Sequence, residues 1–148
     1  MNYDDNYVTC AKTDSLLRIS SEDISPDEIT KILGISPTEV RVKGELRNVS
    51  NPKSRNKLNC WYLGSKEFIK SKDSRRHLDW IIEKVHPAKE GIHKLQKLGA
   101  NIDICCLWES SENQGGPTME PKQMKLLSDL EISVWWEFWY CYDDEKSA

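Results

Sequence analysis

The sequence predicts an α+β fold: an antiparallel-rich sheet with helices mainly on one face. Three observations carry this. Apolar residues alternate in several short segments and recur at helical spacing in others. The segments run β-α-β-β-α-α-β-α-β, a ferredoxin-like split β-α-β core with an appended helix and strand. Caps, prolines and glycines mark where the helices begin and end. The 148 residues are read as one domain, 1–148, with a short acidic tail from about residue 142.

The first strand centres on Ser15-Leu16-Leu17-Arg18-Ile19-Ser20. Ser25-Pro26-Asp27-Glu28 then opens a helix. Ser25 caps it, Pro26 suits its first position and Glu28 completes a capping box. Ile29, Ile32 and Leu33 supply the apolar stripe, and Gly34 ends it. Val40 and Val42 flank Arg41 in a short strand, and Leu58 to Leu63 form the next, after a polar loop containing Pro52. Ser74 is placed to cap a helix whose apolar positions are Leu78, Ile81, Ile82 and Val85. Pro87 interrupts it, and a second helix from Ala88 buries Ile92, Leu95 and Leu98 before Gly99. Ile102, Ile104, Cys106 and Trp108 alternate along a strand. Gly115-Gly116-Pro117 centres a loop, and Pro121 starts a helix burying Met124, Leu127 and Leu130. Ile132 to Cys141 is the most apolar stretch and supplies the last strand.

Leu17-Arg18-Ile19, Ser25-Pro26-Asp27-Glu28-Ile29, Leu33-Gly34-Ile35, Pro37-Thr38 and Lys43-Gly44-Glu45 together resemble the N-terminal signature of a known family. It is the bacterial domain-of-unknown-function 4279 family. Trp61-Tyr62-Leu63, Gly115-Gly116 and the closing aromatic strand are similar to its later parts, so the likeness runs from about Ser15 to Tyr142. The family is uncharacterised and supplies no catalytic residues. In size and acidity its members resemble small immunity proteins that neutralise bacterial toxins, an analogy of type that implies protein binding. This chain departs from the pattern in the tryptophan richness of its end.

Several classes are excluded or disfavoured. No apolar run approaches the ~18 residues of a membrane helix. Met1 to Asn6 is too polar for a signal peptide, so a cytoplasmic protein is expected. Five cysteines without a C-x-x-C pair argue for reduced, buried thiols rather than disulfides. His77, His86 and His93 show no zinc spacing and read as solvated helix surface; no metal and no cofactor is expected. No local Ser or Cys pairs with a histidine, and Gly115-Gly116-Pro117 lacks the phosphate-loop lysine. The residues thus argue against an enzyme.

Two features point to binding. Residues 41–76 carry 11 basic and 3 acidic groups, a net +8 inside a chain of net -3. Arg47, Lys53, Arg55 and Lys57 lie in its loop. Such a block suits phosphates or an acidic protein, or else it faces acidic parts of the same fold. In the last strand, Ile132, Val134, Trp136, Phe138 and Tyr140 share one face, which should join the core. Trp135, Glu137 and Trp139 share the other, which is open if helices cover only one side. The N-terminal Tyr7 to Lys12 or a homodimer mate are alternative covers for it. Trp61 and Trp108, also in strands, extend the expectation to an aromatic cluster on the sheet.

The expected function is therefore a small soluble non-enzymatic binding protein with a protein partner, of the toxin-neutralising immunity type. The alternative is a nucleic-acid or anionic-ligand binder using residues 41–76, which the overall acidity disfavours. A third reading is an unrecognised enzyme near Gly115-Gly116. Membrane partners are not expected.

Overall fold

A computed structural model describes residues 1–140. Strand β1 (Cys10–Ser21) leads into helix α1 (Pro26–Leu33), then strands β2 (Glu39–Arg41) and β3 (Asn59–Gly64). Helix α2 (Ser74–Val85), a 3-10 turn (His86–Ala88) and helix α3 (Lys89–Lys97) follow. Strand β4 (Asn101–Ser110), helix α4 (Pro121–Leu130) and strand β5 (Ser133–Tyr140) complete the chain. The predicted element order is observed. Cys141 and the acidic residues Asp143 to Glu145 lie outside the described residues.

The five strands are ordered β2-β3-β1-β4-β5. β3 lies between β1 and β2, so the β1-α1-β2 connection is split. All neighbours are antiparallel except β4 and β5, which run parallel. That exception follows from α4, because parallel strands need a crossover, usually a helix. β1 is central, with Leu17 opposite Leu63 on one side and Ile104 on the other.

One sheet face is dry. Leu17, Ile19, Trp61, Leu63, Ile104 and Cys106 pack with Ile29, Leu78, Ile81, Ile92, Leu95, Leu127 and Leu130 from the helices. Trp108 is buried as well. Trp61 and Trp108 thus belong to the core and not to an aromatic cluster on the open side. Trp61 is oriented by its Nε1, which donates to Thr30 Oγ1 at 3.0 Å.

Local signals explain the helix ends. Ser25 Oγ accepts from Glu28 N at 3.2 Å and Ser25 N donates to Glu28 Oε2 at 2.9 Å, the predicted capping box. Gly34 takes the left-handed φ of 68° that ends α1. The cap of α2 is Asp73 rather than Ser74, because the carboxylate reaches Arg75 N at 3.0 Å. Pro87 cannot continue the α-helical ladder and tightens the chain into the 3-10 turn. Two apolar assignments change: Leu98 and Met124 are exposed. Gln123 is buried instead of Met124. Its Oε1 accepts from Glu120 N, and its Nε2 donates to Arg75 O and Asp79 Oδ1, so burial leaves its amide satisfied.

The histidine expectation also changes. His77 is buried, with Ser65 Oγ 2.7 Å from Nδ1 and Ser71 O 2.9 Å from Nε2. A carbonyl can only accept, so Nε2 carries the proton and Nδ1 accepts from the Ser65 hydroxyl. Ser65 Oγ in turn accepts from Ser15 N at 3.0 Å. This chain of bonds joins β1, the end of β3 and α2.

Candidate functional site

Alternation along the strands sends Arg18, Tyr62, Asp103, Cys105, Trp135, Glu137 and Trp139 to the face opposite the core. The register brings them together in rows. Tyr62 sits opposite Arg18, Arg18 opposite Asp103, and Cys105 opposite Trp135. Arg18 makes a two-point fork to Asp103, with Nε to Oδ1 at 2.7 Å and Nη2 to Oδ2 at 2.6 Å. Those bonds strengthen the guanidinium's hold on its proton, against the opposing effect of burial. The same guanidinium lies 5.2 Å from the Trp135 ring centroid. Arg41 repeats the motif 5.6 Å over Tyr62, whose hydroxyl is pushed up by burial and by its bond with Cys60. Arg18, Tyr62 and Asp103 line a groove of about 560 Å³, with Ser20, Cys60, Asn101 and Ser133 also in its walls.

The open face is uncovered at β5. Trp135 is 42% exposed and Trp139 57% exposed. They stand four residues apart on one strand face, ~13 Å, with half-buried Glu137 between them. The alternative cover, Tyr7 to Lys12, leaves them exposed, since Cys10 and Lys12 pair with Ser110 and Glu109 of β4; residues 3–5 bind elsewhere. Asp4 N donates to Asp73 at 2.7 Å, Arg76 binds Asp5 at 2.8 Å, and Tyr3 OH donates to Asp79. Burial first, then Asp79, pushes the Tyr3 hydroxyl up to about 12. The segment is clasped to α2, away from β5.

The expected core face of β5 is only half realised. Val134 and Trp136 pack against the core, but Phe138 is 51% and Tyr140 57% exposed. The helix layer ends before the strand does. Phe138 stacks on Trp136 with ring centroids 6.4 Å apart.

The basic loop forms an arm. Gly44 N bonds Asn56 O, Asn56 N bonds Glu45 O, and Leu46 bridges Arg55, which prolongs the β2–β3 pairing as a ribbon. Arg47, Lys53, Arg55 and Lys57 are exposed on it and form no ion pair among the described residues. Arg55 donates to Gly44 O at 2.7 Å, which stiffens the ribbon. The rest of the basic block is partly neutralised within the fold. Arg75 binds Asp73 and Glu120, Arg76 binds Asp5, and Arg41 approaches Glu39. The structure therefore separates the two predicted surfaces. The arm grows from the β2 edge, and Trp135, Glu137 and Trp139 lie at the β5 edge, four strand spacings or ~19 Å away.

The Gly115-Gly116 loop is built for packing. Gly115 has φ 81°, and a Cβ there would overlap the Thr9 side chain. Ser110 Oγ donates to Gln114 O and accepts from Gln114 N and Glu112 N, which ties the loop to β4. The small cavity beside it, about 230 Å³, contains Asp73 and Arg75. Burial pushes the Asp73 carboxyl up, but hydrogen bonds from Arg75 and from Asp4 N, together with the Arg75 charge, outweigh it and leave the net shift downward. Both groups are thus committed to each other. Among the described residues no cluster of His, Cys, Asp and Glu is placed to hold a metal ion. No helix among them is long and apolar enough to cross a membrane.

Sequence reasoning missed Arg18, Tyr62 and Asp103 as members of the open face. The signal was present: Arg18 sits between buried Leu17 and Ile19, and Tyr62 between buried Trp61 and Leu63. A second apolar groove was also missed. Ile35, Pro37, Leu63, Phe68 and Trp80 line about 620 Å³, with Phe68 stacked on Trp80 at 5.1 Å. Its walls come from three distant segments, which no local pattern reveals.

Fold and face together define a small α+β domain with one helix-covered sheet face and one open face edged by tryptophans. The chain belongs to the family described as a domain of unknown function, DUF4279, whose model matches residues 11–140. No curated protein and no solved structure matches it.

Proposed function

We propose that this chain is a non-enzymatic protein-binding module of the immunity type, which holds a protein partner against the open face at β5. The observation that carries the reading is the exposure of Trp135 and Trp139 on either side of Glu137. Tryptophans in this state are the residue type that dominates binding hot spots. The adjacent Arg18–Asp103 fork holds Trp135 in a preset orientation, which lowers the entropy lost on contact. Glu137 gives the strip an acidic centre suited to a basic partner.

The test is a pull-down from native host extract, comparing wild type with the Trp135→Ser/Trp139→Ser double variant. A partner retained by wild type and lost by a folded double variant supports the face. Equal retention by both refutes it. An isolated partner whose toxicity the wild type suppresses supports the immunity assignment, and one without toxic activity removes it.

The arm favours a second reading, an anionic ligand such as single-stranded RNA, because Arg47, Lys53, Arg55 and Lys57 project without ion-pair partners among the described residues. Binding of that kind weakens steeply with salt. A flat salt response, or no RNA binding at low salt, removes it.

A further inference from the structure

β5 is an edge strand, and half-buried Glu137 is its single charged residue among the devices that keep edges apart. Its outer side has no strand neighbour among the described residues. It is 8 residues long, Ser133-Val134-Trp135-Trp136-Glu137-Phe138-Trp139-Tyr140, with no lysine and no proline. Edge strands are usually blunted by lysine, proline, a bulge or shortness, because their free N–H and C=O groups template further pairing. The opposite edge shows that management: β2 is only 3 residues long and runs on into the charged arm. The β5 edge is aromatic on both faces. Trp135 and Trp139 are exposed on the open face, Phe138 and Tyr140 on the helix side.

We propose that β5 pairs with β5 of a second copy, antiparallel across a two-fold axis, to give a continuous ten-strand sheet. Three arguments select a second copy as the occupant. The first is area. Aromatic side chains bury ~150–250 Å² each, so four that are about half exposed offer ~400 Å² per copy. Two copies give ~800 Å² before the backbone edges are counted, and the edges bring the total near the ~1,200 Å² lower bound of specific interfaces.

The second argument is facial symmetry. A two-fold axis perpendicular to the sheet keeps open face beside open face and helix layer beside helix layer, so odd positions meet odd and even meet even. Two registers pair seven residues each; the one centred on Trp136 places Phe138 opposite Val134 and Trp139 opposite Ser133. The third argument is charge. In that register Glu137 lies opposite Trp135, and the two Glu137 carboxylates avoid each other, as like charges directly opposite would be destabilising.

This assembly differs from the partner reading above in needing only the purified chain. Both draw on the exposed surface of Trp135 and Trp139, so pairing of two copies and partner binding compete for it. The test is mass measurement by light scattering on the purified chain over a range from about 1 to about 100 µM. The expected mass is twice 17.2 kDa at the upper end. Phe138→Lys places a blunting charge at the edge while sparing Trp135, Glu137 and Trp139, and should weaken the dimer at least ~10-fold. Far-UV circular dichroism checks that the variant is folded. If it is not folded, hydrogen exchange of wild type decides: β5 amide protection should rise with concentration while β1 protection stays constant. A monomer throughout the range, a dimer indifferent to Phe138→Lys in a folded variant, or β5 exchange independent of concentration overturns the proposal. A strand from another protein on this edge would appear as the first of these outcomes.

Discussion

Lowering the pH should weaken the fold through His77, and the structure sets the size of the effect. The ring is buried, and its two nitrogens are committed to one tautomer by the Ser65 hydroxyl and the Ser71 carbonyl. Burial holds its pKa below the ordinary histidine value of 6.5, against smaller opposing pulls from Ser71, Asp14 and Asp73. Protonating Nδ1 would also set two donors, ring and hydroxyl, face to face unless Ser65 turned away. The unfolded chain takes the proton near 6.5 while the folded chain resists it, so protons favour unfolding. The contribution is complete above about pH 6.5 and is lost as pH falls towards the depressed folded value. One proton gives a slope of at most ~1.4 kcal/mol per pH unit, so the loss by pH 5.5 is at most ~1.4 kcal/mol. The assay is urea unfolding at pH 7.5, 6.5 and 5.5 on wild type and His77→Gln. The glutamine keeps a donor for Ser71 O but does not titrate. The other histidines and the carboxylates are present in both proteins, so the difference between the two profiles isolates His77. Parallel profiles between pH 7.5 and 5.5 would refute the reasoning.

Gly91→Ala tests the crossing of α1 and α3. In an open helix the change would stabilise by ~1 kcal/mol, but here the new Cβ would lie 2.9 Å from Ile32 O and 3.3 Å from Leu33 Cδ2. Overpacking costs ~1–3 kcal/mol, so after the helix gain a net loss of up to ~2 kcal/mol is expected, with Tm falling ~2–4 °C per kcal/mol. A raised Tm in differential scanning calorimetry would contradict so close a crossing. Asp73→Ala removes the cap of α2, the acceptor for Asp4 N and one partner of Arg75. It should cost about 2–3 kcal/mol, the cap alone giving ~1. It should also speed proteolysis within residues 1–9, and an unchanged cleavage rate would show that the N-terminal clasp does not depend on Asp73.

How far the sequence could be read depended on whether the deciding contact was local. The α1 cap, the Gly34 stop and the Pro87 break are set within four residues, and all three are observed. The separation of Trp135 and Trp139 from the core followed from alternation alone. Long-range contacts were not legible. His77 sits on a polar helix start, and only the fold brings Ser65 and Ser71 around it. Gln123 replaces Met124 in the interior because α4 meets Arg75 and Asp79 of α2, and an amide serves that contact better than a thioether. Phe138 and Tyr140 obey the apolar period of β5 but outrun the helix layer, and periodicity does not record where a layer ends. The open-face row of Arg18, Tyr62 and Asp103 required the strand order, since these residues come from three separate strands.

The central place of β1 has a consequence for synthesis. The strand that organises the sheet is the first to leave the ribosome, and both of its neighbours are encoded later: β3 begins at Asn59 and β4 at Asn101. Translation at ~5–20 residues per second leaves Leu17 and Ile19 without a complete sheet for several seconds after they emerge. During that interval the nascent chain displays a twelve-residue apolar-patterned strand with both edges open. The capped helix α1 is the element nearest in sequence, but at 8 residues it is too short to hold alone, so it can shelter the strand only by packing on it.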